Sequence, residues 1–151
     1  MFAGCGSDGQ SEASATRTVA GPGFAFAAPK GWSIQHRRAA VSAVNGAQLV
    51  EVATFPLQKH YDAGLFDAVE KELAARMSSL ARQTGGKVAA GKPVTVAGIR
   101  SHTYDIDGGG MVDSYVFVLR GKREYQLLCR RKASGSDEAC RSLVASFRVT
   151  R

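Results

Sequence analysis

Residues 62–86, DAGLFDAVEKELAARMSSLARQTGG, decide the fold class. Leu65, Phe66, Val69, Leu73, Met77 and Leu80 recur at three- and four-residue spacing, while Glu70, Lys71, Glu72, Arg76 and Arg82 fall elsewhere on the helical wheel. This pattern predicts an amphipathic helix laid on a sheet, with Asp62 as its N-cap and Gly85 and Gly86 as its C-terminal stop.

On either side of the helix the period drops to two. Upstream, GFAFAAPKGW (23–32) puts Phe24, Phe26 and Ala28 on one face of a short strand that Pro29 and Gly31 end, with Trp32 packing over the sheet edge. AAVSAV (39–44) and AQLVEVATF (47–55) read as two strands around Asn45-Gly46, a pair that tolerates positive φ, and Pro56 is expected to close that segment. Downstream come KPVTVAGIRSHTYDID (92–107), three glycines, MVDSYVFVLR (111–120), a turn, and EYQLLCRR (124–131). Short strands joined by glycine-rich turns make an antiparallel meander, and MVDSYVFVLR, apolar on both faces through Val116, Phe117 and Val118, belongs at its centre. A last helix, SDEACRSLVASF (136–147), carries Asp137 and Glu138 at its positive end and buries Cys140, Leu143, Val144 and Phe147. The expected architecture is α+β, a layered α/β/α sandwich with a mostly antiparallel sheet.

The run F-x-F-x-x-P-x-G-W (24–32), the long helix, the turn Val96-Ala97-Gly98, the tyrosine-bearing hairpin and the closing Ser-Phe-Arg-Val (146–149) together resemble the PsbP-like superfamily. That group takes in the extrinsic photosystem II protein, the yeast Ran-binding nuclear import factor and LpqN-type bacterial lipoproteins. The resemblance covers residues 21–151 and implies a single domain acting as a binding or assembly module. It transfers no site residue, because no stretch here matches a Ran-binding or photosystem-docking surface.

The N-terminus points to a location. Phe2-Ala3-Gly4-Cys5 resembles a lipobox, in which small residues precede a cysteine that becomes diacylated, although Phe2 replaces the commoner leucine and the sequence as written holds no apolar h-region. Residues 1–20 are thus expected to be a lipobox remnant and flexible tether, and 21–151 one globular domain. Lipid at Cys5 would anchor the protein extracytoplasmically, to the cytoplasmic or outer membrane. No apolar run approaches the roughly 18 residues of a membrane-spanning helix.

With Cys5 set aside, Cys129 and Cys140 form an even pair in a compartment where disulfides persist. A bridge would staple the last helix to the neighbouring strand and stabilise by about 2–3 kcal/mol; two buried free thiols are the alternative.

The 151 residues include 20 Lys plus Arg against 13 Asp plus Glu, a net charge of +7, which favours anionic partners. The cations come in small groups, Arg37 with Arg38, Arg120 with Lys122 and Arg123, and Arg130 with Arg131 and Lys132. They read as a solvated rim or as a patch for an anionic surface or acidic partner, with nucleic acid disfavoured because no reader motif accompanies them.

No catalytic constellation emerges. His36, His60 and His102 are scattered; His102 shares a strand face with Tyr104 and Ile106 while Asp105 points the other way, so a structurally hydrogen-bonded histidine is expected there. Ser101 and Ser114 lack an elbow motif or a neighbouring base. Asp105, Asp107 and Asp113 bracket a turn in DIDGGGMVD but fail the EF-hand pattern, and GGG lacks the lysine of a phosphate loop. Neither metal nor cofactor is expected. The leading reading is a non-catalytic binding or assembly module of the cell envelope whose partner, an envelope protein or a small apolar ligand, the sequence does not name; the alternative is a carrier or sensor of a small apolar ligand held between sheet and helix.

Overall fold

The computed structural model describes residues 15–151. The order of elements is β1 (Thr16–Gly21), β2 (Phe24–Pro29), β3 (Ser33–His36), β4 (Ala40–Asn45), β5 (Gln48–Tyr61), α1 (Phe66–Thr84), β6 (Lys87–Val88), β7 (Lys92–Val96), β8 (Ile99–Gly108), β9 (Met111–Lys132), α2 (Glu138–Ser146) and β10 (Arg148–Val149). They form a small sheet, β1-β2-β10, and a large one, β3-β4-β5-β9-β8-β6, in which β7 also pairs with β8. Every pairing is antiparallel.

The β9 run is extended throughout, yet it cannot be straight. Residues 113 and 130 of one straight strand would lie roughly 55 Å apart. Instead Arg130 holds Asp113 through Nε and Nη2 at 2.7 and 2.9 Å, and the Ala133 amide donates to the Gly110 carbonyl at 2.8 Å. The chain therefore doubles back at Gly121, whose φ of +58° is open to glycine at little cost. One arm, 111–117, pairs with β8; the other, 121–130, pairs with β5. The hairpin read from the sequence is present and sits at the centre of the large sheet.

Alternation then assigns the faces. Tyr104, Ile106, Tyr115, Phe117, Leu119 and Leu128 point to one side, where Leu73, Met77 and Ala81 of α1 cover them. Val50, Val52, Val116, Val118 and Leu127 point to the other, where they meet Phe24 and Phe26 of the small sheet and Leu143 and Phe147 of the α2 end. The result is the expected three-layer α+β sandwich, with the small sheet sharing a layer with α2. The Cys129–Cys140 disulfide, with Cα atoms 5.4 Å apart, ties α2 to β9.

Several boundaries differ from expectation. Residues 16–20, read as the end of a tether, belong to strand β1 (Thr16–Gly21), which is paired residue for residue with β2 and buries Val19. Its run of small and polar residues hides the pattern, because it contributes a single large apolar side chain. Pro56 does not close β5, which continues to Tyr61; the proline pairs with Arg123 where the register breaks, a position that tolerates its missing N–H. Asp62 caps a short 3-10 turn, accepting from the Gly64 amide at 2.8 Å, and α1 follows at Phe66. Gly85, at φ +74°, ends α1. Leu65, placed by periodicity in the buried stripe, is exposed on that 3-10 turn.

Candidate functional site

The eight cations expected to form a rim are divided by the β9 hairpin. Arg120, Lys122 and Arg123 surround its tip at Gly121, whereas Arg130, Arg131 and Lys132 lie at its base, and the arm from Arg123 to Arg130 spans roughly 23 Å. Arg37 and Arg38, in the β3–β4 connection, join the base group, since Arg37 pairs with Glu51 on β5 and Glu51 sits opposite Leu128. A continuous rim is thus replaced by two groups at opposite ends, because a strand arm keeps its tip and base apart. Their chemistry differs too. Arg37 and Arg130 are held by carboxylates, and Arg131 donates to the carbonyls of Lys132 and Ala133 at 3.3 and 3.4 Å.

The base group borders a concavity of about 690 Å³ on the α1 side of the large sheet. Helix α1 covers the β9–β8 half of this face and leaves the β3-β4-β5 half open. Gln35, Ser42, Gln48, Glu51, Asp113 and Arg130 line the opening. The Asp113 contact raises the Arg130 pKa, and burial, reinforced by Asp113, raises that of the adjacent Tyr115. Ser42 is 1% exposed and its hydroxyl has no partner among the described residues, so one polar valence at the floor is unused. The ion pairs were missed in the sequence because they cross between strands; pairing 110 with 133 puts Asp113 opposite Arg130, so the hairpin register was the signal.

A second opening, about 400 Å³, lies between α1 and the irregular stretch of β5. Residues 57–60 pair with nothing on β9, as the register jumps from Pro56↔Arg123 to Tyr61↔Gly121. The displaced backbone forms one wall. Leu57, Tyr61, Leu65, Val69, Leu73 and Leu119 give the groove an apolar lining. Arg76 sits at its edge, 3.3 Å from both oxygens of the buried Glu124, with its guanidinium 5.7 Å from the centre of the Phe117 ring.

His102 is buried on the α1 face as alternation predicts, but Nε2 has no hydrogen-bond partner among the described residues. Stacking against Phe66 takes the place of the expected bond. Ser101 donates to the Ile99 carbonyl at 3.0 Å. Asp113 shares the α1 side with Ile106, its partner on β8, while Asp105 and Asp107 point to the other side, so the three carboxylates do not converge. Among the described residues no group of three or more potential metal ligands occurs. Cys5 lies outside the described residues.

The fold has known counterparts. The chain is similar to the solution structure of a cyanobacterial PsbP (CyanoP) from Synechocystis, with a TM-score of 0.66 and 12% identity over 98% of each chain. It is also similar to a crystal structure from Bacteroides thetaiotaomicron, with a TM-score of 0.58 and 12% identity over 85% of this chain. There it spans 45% of the other protein's length. The fold is PsbP-like. No family model matches the sequence, and no curated protein matches it.

Proposed function

We propose that this PsbP-like domain is a non-catalytic binding or assembly module of the bacterial cell envelope, held to a membrane by lipid at Cys5. The observation that carries the binding role is the open concavity beside Arg37, Glu51, Asp113 and Arg130. Its charged groups are engaged as ion pairs, which suits recognition by fixed donors and acceptors better than proton transfer. The envelope assignment rests on the lipobox-like Phe2–Cys5 and on a disulfide pair of the kind that persists outside the cytoplasm. The test is fractionation of the full-length precursor in a bacterial host, with intact-mass analysis. A diacylglycerol increment at Cys5, and release from the membrane by Cys5→Ala, are the expected results. An unmodified precursor, soluble in the cytosol with free thiols, would overturn the assignment.

The apolar groove between α1 and residues 57–60 favours a second reading, a carrier or sensor of a small apolar molecule. Its volume falls within the ~300–1,000 Å³ usual for small-molecule sites. Organic extraction and mass spectrometry of the purified protein would detect such a ligand. Val69→Trp, which fills the groove, would abolish its retention.

A further inference from the structure

We infer that the concavity holds a zwitterionic small molecule of the amino-acid class, its ammonium against Glu51 and its carboxylate against Arg130. The inference rests on the reading of this concavity as the binding place and names the chemistry of the ligand.

Strand register sets four side chains at the corners of a square beside α1. Glu51 stands opposite Leu128, and Leu49 opposite Arg130. Glu51 and Leu49 are two residues apart on β5, as are Leu128 and Arg130 on β9, so all four point to the α1 side of the large sheet. One diagonal therefore carries Glu51 and Arg130, and the other carries the two leucines. Diagonal neighbours stand roughly 7–8 Å apart, a gap that two long side chains can close. These two leave it open: none of the ion pairs among the described residues joins them. Each is drawn outward by a partner beyond the square, Glu51 by Arg37 of the β3–β4 connection and Arg130 by Asp113 on the other arm of β9. Their charges still interact, since Asp113, through its hydrogen bond, and more weakly Glu51 raise the Arg130 pKa against the effect of burial.

Both charges keep bonding capacity for a ligand. Arg130 spends Nε and Nη2 on Asp113 and retains the Nη1 donors, while Glu51 meets Arg37 through Oε2 and retains Oε1. Across the sheet the signs run positive at Arg37, negative at Glu51, positive at Arg130 and negative at Asp113, with the gap in the middle. A lone anion drawn to Arg130 is repelled by Glu51, and a lone cation meets the reverse. A molecule carrying both an ammonium and a carboxylate enters in the order that keeps the signs alternating, and gives each pole a charge-assisted hydrogen bond. Leu49 lies beneath its carbon atoms, and Val44, Ile106 and Met111, which also line the opening, favour an apolar side chain. A free amino acid and a dipeptide share this chemistry and differ in span by roughly 3.6 Å.

Titration of L-leucine and of L-leucyl-L-leucine into isotope-labelled protein, followed by amide chemical shifts, tests the proposal. Both should give saturable shifts at Leu49, Glu51 and Arg130, and the tighter of the two identifies the source of the zwitterion. N-acetyl-leucine lacks the cation and leucine methyl ester lacks the anion, and each should bind about 10- to 100-fold more weakly. Glu51→Gln and Arg130→Gln should lower affinity for the zwitterions by a similar factor. Because each of these also breaks a structural ion pair, Leu49→Trp provides the second variant: it fills the square with all four charges in place and should abolish binding, whereas Val69→Trp in the other groove should leave it unchanged. Equal affinity for the blocked analogues, or binding that survives Leu49→Trp, would overturn the proposal. Maltose shifting these amides while the zwitterions leave them still would overturn the zwitterion and keep the concavity as a binding place. No shift there from any of these compounds would overturn both.

Discussion

The imidazole of His102 on β8 lies against the ring of Phe66, the first residue of α1, with centroids 3.8 Å apart and planes inclined by 18°. Arg100 covers Phe66 as well, its guanidinium carbon 4.0 Å from the ring centre. The start of the helix is thereby fixed to the sheet by a cation and an aromatic side chain two residues apart on one strand face. Burial pushes the His102 pKa below its ordinary 6.5, outweighing the upward pull of Glu70 and Asp67 on α1, and Arg100 adds to the depression.

This arrangement makes stability depend on pH. The unfolded chain takes up the His102 proton as pH falls through about 6.5, before the folded state can, so acid favours unfolding. The contribution is intact above 6.5 and is lost between 6.5 and the lower folded value. The melting temperature should therefore drop from pH 7 to pH 5, and His102→Leu should flatten that slope. Equal slopes in both proteins would assign the acid sensitivity to other groups.

Reduction of the Cys129–Cys140 disulfide should destabilise without unfolding the core. The bridge closes a loop with a sequence separation of 11, for which about 2–3 kcal/mol is expected. Cys129 itself is 4% exposed within the core, so Cys129→Ala/Cys140→Ala is the milder replacement and serine at 129 should cost more by burying a hydroxyl. Denaturant melts of the oxidised protein, of Cys129→Ala/Cys140→Ala and of Cys129→Ser/Cys140→Ala measure the difference.

Glu124 is 6% exposed, and Arg76, its partner, is half exposed. Arg76→Ala should therefore cost about 1–3 kcal/mol, chiefly by leaving the carboxylate buried without its donor. It also removes the contact over Phe117. Arg76→Met/Glu124→Leu should recover most of the loss, because two apolar side chains of similar size leave no unpaired charge. A double variant as unstable as Arg76→Ala would show that the ion pair itself, and not relief of burial, supplies the stability.

The sequence makes legible those elements whose cause is local. The α1 stripe, the Gly85 stop and the two-residue turns at Ala97-Gly98 and Gly109-Gly110 all follow from spacing and backbone preference. What local pattern cannot reveal is register. The Asp113–Arg130 and Arg37–Glu51 pairs depend on which residues face one another across strands, as does the separation of the cations into groups at the base and the tip of the β9 hairpin. Pro56 misleads because its usual role as a terminator is overridden by the register break that accommodates it. The sites are accordingly less legible than the fold.

β1 provides the sharpest case, because residues 16–20 look like linker and yet pair with β2 throughout and bury Val19. Gly21 lies against Phe24, which is 0% exposed; a Cβ there would stand 2.2 Å from the ring. Gly21→Ala should thus displace a fully buried aromatic and cost about 1–3 kcal/mol, far more than a substitution within a flexible leash. Removing residues through 21 should cost more still, since β2 loses its whole antiparallel partner and Val19 leaves the core. A chain beginning at residue 15 keeps β1 and is the matched control. Thermal melts of the two shortened chains decide the matter: a large difference between them places the domain boundary before Thr16, and equal melting temperatures would return these residues to the tether.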